Sequence, residues 1–106
     1  MRPEARWIVG YVIDPEGNET AVIHELVDFR GTDVLEVGCG DGRLTERFAG
    51  HCRSVLAIDP DAQRIERAVA TFPSELKASV TFEATDILDA KLPPEAFDVV
   101  VLSWSI

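Results

Sequence analysis

One carboxylate and three alternate glycines are the residues whose types and spacing first indicate chemistry in this sequence. An apolar run at residues 34–37 contains Glu36 and leads directly into Gly38, Gly40 and Gly42. Glycine tolerates positive φ and has no Cβ, so a turn built from it lets a ligand approach the backbone closely. A carboxylate beside the turn disfavours a pyrophosphate and favours a cation. The segment therefore predicts a strand, a glycine turn and a helix that together receive a positively charged ligand.

The glycine spacing excludes two well-known phosphate-binding motifs. A dinucleotide-binding Gly-x-Gly-x-x-Gly turn needs its third glycine where this chain has Arg43. No Gly-Lys-Ser/Thr follows, so the P-loop pattern is absent as well. Residues 35–42 instead resemble motif I of the class I S-adenosylmethionine-dependent methyltransferases. In that motif an acidic residue between two hydrophobic ones precedes Gly-x-Gly-x-Gly, and every position of it is present here.

This resemblance implies a set of contacts to S-adenosylmethionine around the turn. The glycines and the residue between the first two would lie against the cofactor. The carboxylate of Glu36 would hold the cofactor's amino group, directly or through water. The alternative role for this carboxylate is to cap backbone N–H groups of the turn. The implied cofactor-binding residues of the turn are Glu36, Gly38, Cys39, Gly40 and Gly42.

Two further acidic residues follow later predicted strands. Asp59 lies about 20 residues after Gly38, the offset at which an acidic residue meets ribose hydroxyls in nucleotide-binding folds. Its alternative role is to cap the next helix. The resemblance implies that Asp86 accepts from the adenine amine, and the alternative is a solvated turn aspartate. Pro60 and Ile87 would wall the adenine, although core packing explains them almost as well.

The end of the last predicted strand is where this family places residues near the methyl acceptor. The resemblance assigns Ser103 to the cofactor site, and Trp104 either lines the acceptor pocket or packs in the core. The Asn/Asp-Pro-Pro-Tyr/Phe sequence of enzymes that methylate amino groups of nucleic acids is absent. No catalytic residue is assigned, because the methyl group of the cofactor is already activated and alignment is the protein's main contribution.

Strands and helices alternate along the chain in the order that such a site needs. Apolar runs predict parallel strands buried on both faces, and apolar residues at i, i+3 and i+4 predict the helices between them. We expect a Rossmann-like α/β fold, a doubly wound parallel sheet in three α/β/α layers, with its ligand at the carboxyl ends of the strands. The predicted helices lie at about 19–30, 43–51 and 60–72, and the predicted strands at 33–38, 55–59, 80–84 and 97–102.

The two ends of the sequence shape the predicted domain organisation. Residues 1–19 are predicted to form an arm or lid, and a short strand is the alternative for the apolar residues 7–13. Residues 20–106 are predicted to form an incomplete S-adenosylmethionine-binding domain, truncated after the fourth strand, because the family continues through three more strands. The fourth strand would then be a bare hydrophobic edge, so we expect a longer enzyme or self-association through that strand. The candidate lid residues are Tyr11, Asp14, Glu16 and Glu19.

Composition narrows the class of partner. The chain has 106 residues and a net charge of −9, with no basic cluster, which argues against a nucleic-acid partner. No apolar run approaches the ~20 residues of a membrane helix. Two cysteines without histidine at ligand spacing are typical of free thiols in a reducing cytoplasm and predict no metal site. We therefore expect methyl transfer to a small molecule. The alternatives are an aminopropyltransferase of the same fold and a non-catalytic module that binds the cofactor or a partner.

Overall fold

Five parallel strands form one sheet whose carboxyl ends carry the predicted site. The computed structural model describes residues 6–12, 28–90 and 96–105. The order across the sheet is β1-β5-β2-β3-β4, and every neighbouring pair is parallel. This arrangement confirms the predicted Rossmann-like α/β fold. The strands are β1 (Arg6–Val12), β2 (Asp33–Val37), β3 (Ser54–Asp59), β4 (Val80–Ala84) and β5 (Val99–Ser105).

Helices connect the strands as parallel pairing requires. After the glycine turn, α1 spans Arg43–Phe48 and continues as a 3-10 helix over Ala49–His51, which confirms the helix predicted at 43–51. Between β3 and β4, α2 spans Ala62–Thr71 and is followed by a 3-10 helix at Ser74–Ser79.

The start of α2 differs from the prediction. The helix begins after Asp61, whose carboxylate accepts hydrogen bonds from the backbone N–H groups of Gln63 at 3.0 Å and Arg64 at 3.2 Å. An aspartate at this position satisfies N–H groups that have no partner inside the helix. Pro60 therefore precedes the helix instead of opening it. The cap considered for Asp59 belongs to Asp61, and the alternative role of Asp59 is wrong.

Each face of the sheet has its own buried cluster, which explains the unbroken apolar runs of β2 and β5. Val34 and Val99 belong to the cluster that contains residues of α1 and α2, whereas Leu35 and Val100 belong to the cluster on the opposite face. Successive side chains of a strand point to opposite faces, so a strand covered on both faces is mostly apolar along its length. The helix-side cluster also contains Leu44, Phe48, Ile65 and Phe72, and the other cluster also contains Ile58 and Phe97.

The N-terminal strand overturns the expectation of a bare edge on β5. In the structure β1 pairs along the whole of β5, from Arg6 opposite Val99 to Val12 opposite Ser105. On its other side β5 pairs with β2. An internal strand has backbone partners on both sides, so the predicted self-association through β5 loses its physical basis. The short strand, which was the alternative to an arm for residues 7–13, is what the structure contains at Arg6–Val12.

Much of the predicted first helix lies outside the described residues. Asp14, Glu16 and Glu19 of the predicted lid fall there too, and the proposed boundary after residue 19 stays a prediction. The end of this segment is described, and the Phe29 ring stacks on Phe48 with centroids 4.9 Å apart and planes inclined by 13°. This contact packs the chain before β2 against α1.

Candidate cofactor site

The sheet brings the sequence-predicted residues to a single edge. β2, β3 and β4 are adjacent, and their carboxyl ends are followed by the glycine turn, Pro60 and the Asp86 segment. In the β3–β4 pairing Asp59 lies opposite Ala84, and the Thr85 N–H donates to the Asp59 carbonyl at 3.0 Å. The segments predicted to meet ribose and adenine are thus joined by backbone pairing.

The glycine turn uses positive φ at all three glycines. The φ angles are 82° at Gly38, 58° at Gly40 and 85° at Gly42, a region that residues with a Cβ rarely adopt. The N–H groups of Gly38 and Cys39 both donate to the Ile58 carbonyl, at 2.8 and 3.1 Å. The Gly42 N–H donates to the Cys39 carbonyl at 3.0 Å. These three donors are therefore used within the fold and are not available to a ligand.

Asp59 ties this turn to the start of the next crossover. One carboxylate oxygen accepts from the Gly40 N–H and the other from the Asp61 N–H, both at 2.9 Å. Asp59 is 7% exposed, so only a small part of the residue reaches the surface. A carboxylate oxygen has two lone pairs, so each oxygen can accept a second hydrogen bond. The arrangement can therefore receive the two adjacent hydroxyls of a ribose.

Glu36 lies deeper than the sequence predicted. Its side chain has no exposed surface and accepts a hydrogen bond from the hydroxyl of Thr45, which is also fully buried. A fully buried carboxylate has no surface that a ligand can contact in this conformation. This argues against the predicted direct hydrogen bond between Glu36 and the cofactor's amino group. Sequence reasoning missed Thr45. Its signal was a polar residue on the buried stripe that Leu44 and Phe48 define in α1.

Gly42 faces an aromatic pair instead of an open crevice. A Cβ placed there would lie 3.3 Å from Cζ of Phe82 and 3.5 Å from Cδ1 of Phe72. These two rings meet edge to face, with centroids 5.1 Å apart. Close packing between a turn and a neighbouring strand explains the third glycine without a ligand contact.

Cys39 is a buried thiol within the turn. Its side chain is 2% exposed, and its sulfur lies 3.7 Å from the Gly40 carbonyl. Burial, reinforced by the charges of Glu36 and Asp59, raises the pKa of Cys39 far above its ordinary range. A protonated, buried thiol is a poor nucleophile, so this residue has a packing role in the turn.

Asp86 lies on a solvent-exposed turn after β4. Its Oδ1 accepts from the Leu88 N–H at 2.9 Å, and its carbonyl accepts from the N–H groups of Asp89 and Ala90, both at 3.0 Å. These bonds fix the turn at the carboxyl edge of the sheet. Ile87 within it is 39% exposed, as a wall for an aromatic ring would be. Asp86 and Ile87 are therefore both exposed at this edge, and their contact with adenine stays a prediction.

Ser103 lies one residue beyond the part of β5 that pairs with β2. Its backbone is opposite Gly10 of β1, and the residue before it, Leu102, is the partner of Val37.

Within the described ranges, no group of three or more His, Cys, Asp or Glu residues is placed to hold a metal ion. Among the same residues, no helix has the length and apolar character needed to cross a membrane.

Comparison with known proteins decides the family. The methyltransferase domain family matches residues 34–106, from the first residues of β2 to the end of the chain. The chain belongs to this methyltransferase family. The match covers the glycine turn, Asp59 and the Asp86 turn, so it confirms the resemblance seen in the sequence.

Several relatives share this methyltransferase domain. An uncharacterised methyltransferase of Mycobacterium tuberculosis is 38% identical over 81 residues, which are 76% of this chain and 40% of the relative. The magnesium-protoporphyrin O-methyltransferase of Rhodobacter capsulatus is 36% identical over 79 residues, 74% of this chain and 34% of the relative. A probable ribosomal RNA small subunit methyltransferase A of Methanospirillum hungatei is 34% identical over 87 residues, 81% of this chain and 34% of the relative.

A solved structure supports the same assignment. The S-adenosylmethionine-dependent methyltransferase of Mesorhizobium loti superposes with a TM-score of 0.70 and 26% identity, over 84% of this chain and 40% of that one. The chain thus spans about two fifths of the length of this structure and of the Mycobacterium relative.

Proposed function

We propose that this methyltransferase domain binds S-adenosylmethionine and supports transfer of its methyl group to a small-molecule acceptor. The observation that carries the proposal is the Asp59 carboxylate, which accepts hydrogen bonds from the N–H groups of Gly40 and Asp61 beside the glycine turn. An acidic group held in this way suits a ribose, and its charge suits a cationic sulfonium compound. The carboxylates of Asp59 and Glu36 beside and behind the turn argue against a pyrophosphate ligand, which is negatively charged.

Three segments would share the work of binding. Asp59 would accept hydrogen bonds from the two ribose hydroxyls. Asp86 would accept from the exocyclic amine of adenine, with Ile87 and Pro60 against the ring. Glu36 lies behind the turn and would contribute negative charge from within the protein instead of a direct contact. In this arrangement the neutral adenosine lies near β3 and β4, and the charged amino-acid end lies near the glycine turn.

The residues of this chain would act by orientation. When bound, S-adenosylmethionine supplies a methyl group already activated by the positive sulfur. The glycine turn and the Asp59 carboxylate would hold that group in one position for in-line attack. Such positioning removes a large part of the activation barrier of a transfer between two molecules. No side chain of this site has to act as a nucleophile, consistent with the raised pKa of Cys39.

The charge of the chain supports a small acceptor over nucleic acid. Asp and Glu number 19 against 10 Lys and Arg, and phosphate backbones are bound by clustered basic residues. The Rhodobacter relative is named for a porphyrin acceptor and the Methanospirillum relative for ribosomal RNA, so the family includes both classes. The acidic balance favours the first class for this chain.

Transfer of label tests the proposal. The protein is incubated with methyl-labelled S-adenosylmethionine together with either a low-mass metabolite extract or ribosomal RNA. We expect label in the low-mass fraction, and less of it with Asp59→Asn than with the matched surface change Asp28→Asn. Label in RNA would overturn the small-molecule acceptor. Binding of the cofactor without any transfer would show that this chain does not carry the activity by itself.

A further inference from the structure

The buried pair of Thr45 and Glu36 is the feature of this site that the proposed function leaves unexplained. Glu36 lies in β2 and Thr45 in α1, nine positions apart, and the glycine turn is the segment between them. Both side chains are 0% exposed. Their hydrogen bond therefore closes the base of the turn from inside the protein.

Simple packing does not account for this pair. A valine would fill the volume of Thr45 without a hydroxyl, and an apolar residue at position 36 would continue the run of Val34 and Leu35. Burying a carboxylate costs free energy unless donors satisfy it, so a fold that needed only a core would not place one there. The hydroxyl of Thr45 is one donor that lowers this cost, and it comes from the helix that follows the turn.

We propose that Thr45 is a positioning residue, whose hydroxyl holds the Glu36 carboxylate behind the glycine turn so that its charge favours the ammonium group at the amino-acid end of S-adenosylmethionine. The inference rests on the proposed function, because it assumes that this end of the cofactor lies at the turn. A charge in a buried, low-dielectric setting acts more strongly on a nearby ligand charge than an exposed one does. Binding of the neutral adenosine end, near Asp59 and Asp86, depends far less on the charge of Glu36.

The two ends of the ligand can be tested separately. S-adenosylhomocysteine keeps the charged amino-acid end, and 5′-methylthioadenosine lacks it but keeps the adenosine and the sulfur. Calorimetric titration of both ligands compares the parent protein with Thr45→Val, Thr45→Ser and Glu36→Gln. Thr71→Val is the matched control, because it removes an exposed hydroxyl that donates to the Arg67 carbonyl in α2.

A selective loss is expected. Thr45→Val and Glu36→Gln lower the affinity for S-adenosylhomocysteine by roughly tenfold or more, the range for a hydrogen bond to a charged group. They change the affinity for 5′-methylthioadenosine by less than about threefold. Thr45→Ser and Thr71→Val bind both ligands as the parent does. Glu36→Gln keeps an acceptor for the Thr45 hydroxyl, so it decides the test if Thr45→Val does not fold.

Three results would overturn the inference. One is unchanged affinity of both Thr45→Val and Glu36→Gln for S-adenosylhomocysteine. Another is an equal loss of affinity for the two ligands in these variants, which would show a general effect on the fold. The third is failure of Thr45→Ser to restore binding. Absence of S-adenosylhomocysteine binding by the parent protein is a separate outcome, which overturns the proposed function itself.

Discussion

The Asp59 carboxylate accepts a hydrogen bond from the Gly40 N–H at 2.9 Å and so links the glycine turn to the carboxyl end of β3. Its second oxygen accepts from the Asp61 N–H at the same distance. One side chain therefore fixes two backbone segments and still presents an edge at the surface. This double role makes Asp59 the residue whose change should affect stability and ligand binding together.

Asparagine at this position tests the double role. In Asp59→Asn one side-chain atom becomes an NH₂ group, which cannot accept from Gly40 or Asp61. We expect the free energy of unfolding to fall by about 1–3 kcal/mol, measured by urea denaturation, and the affinity for S-adenosylhomocysteine to fall by roughly tenfold or more. The exposed change Asp28→Asn serves as the control for both measurements. A variant as stable as the parent would show that the hydrogen bond lost with the replaced oxygen contributes little.

Gly42→Ala tests the packing of the turn against β4. The alanine backbone would have to adopt φ near 85°, and its methyl group would lie 3.3 Å from the Phe82 ring. Gly31→Ala is a matched control, because Gly31 has φ of 67° with nothing within 4 Å of its Cβ position. We expect Gly31→Ala to lose about 1–2 kcal/mol from backbone strain alone. Gly42→Ala should lose more in urea denaturation, and equal losses would exclude the contribution of Phe82.

The cap of α2 is tested by two substitutions at Asp61. Asp61→Ala removes the acceptor for the N–H groups of Gln63 and Arg64, and should cost about 1 kcal/mol. Asp61→Asn keeps a cap of similar strength and should remain close to the parent protein. Thermal unfolding followed by circular dichroism separates the two. Equal melting temperatures for the alanine and asparagine variants would contradict the cap.

The free thiol of Cys52 makes the stability of the fold depend on pH. Burial, with a further effect of the Asp33 charge, raises the pKa of Cys52 from 9.0 to about 11. A raised folded-state pKa means that its stabilising contribution is complete below pH 9 and is lost as the pH rises from 9 towards 11. Urea denaturation at pH 8 and pH 10 should show a larger loss of stability for the parent than for Cys52→Ser. Parallel losses in the two proteins would contradict the raised pKa of Cys52.

Most of the sheet could be predicted from local sequence because its signals are local. The apolar runs of β2, β3 and β5 and the stripe that begins with Ile65 and Ala68 each depend on residues of one element. The pairing of β1 with β5 could not be predicted, since an apolar segment interrupted by Gly10 carries no information about which strand it will join. Whether a strand edge is free depends on a partner that is distant in the sequence.

The site followed the same division. The glycine turn, Asp59 and Asp86 could be proposed from sequence because each lies next to a predicted strand end and resembles a family motif. The Thr45 contact with Glu36 was missed because it depends on how α1 packs on β2. The cap at Asp61 was misplaced because two aspartates flank Pro60, and only the backbone geometry shows which of them accepts from the helix.

Titration with S-adenosylhomocysteine and with a nicotinamide dinucleotide tests the central claim most directly. The claim is that the glycine turn, beside the anchored Asp59 carboxylate, receives the adenosyl amino acid and rejects a pyrophosphate. The prediction is one-to-one binding of S-adenosylhomocysteine with a roughly micromolar dissociation constant and no measurable heat with the dinucleotide. Binding of the dinucleotide, or no heat with S-adenosylhomocysteine, would contradict it.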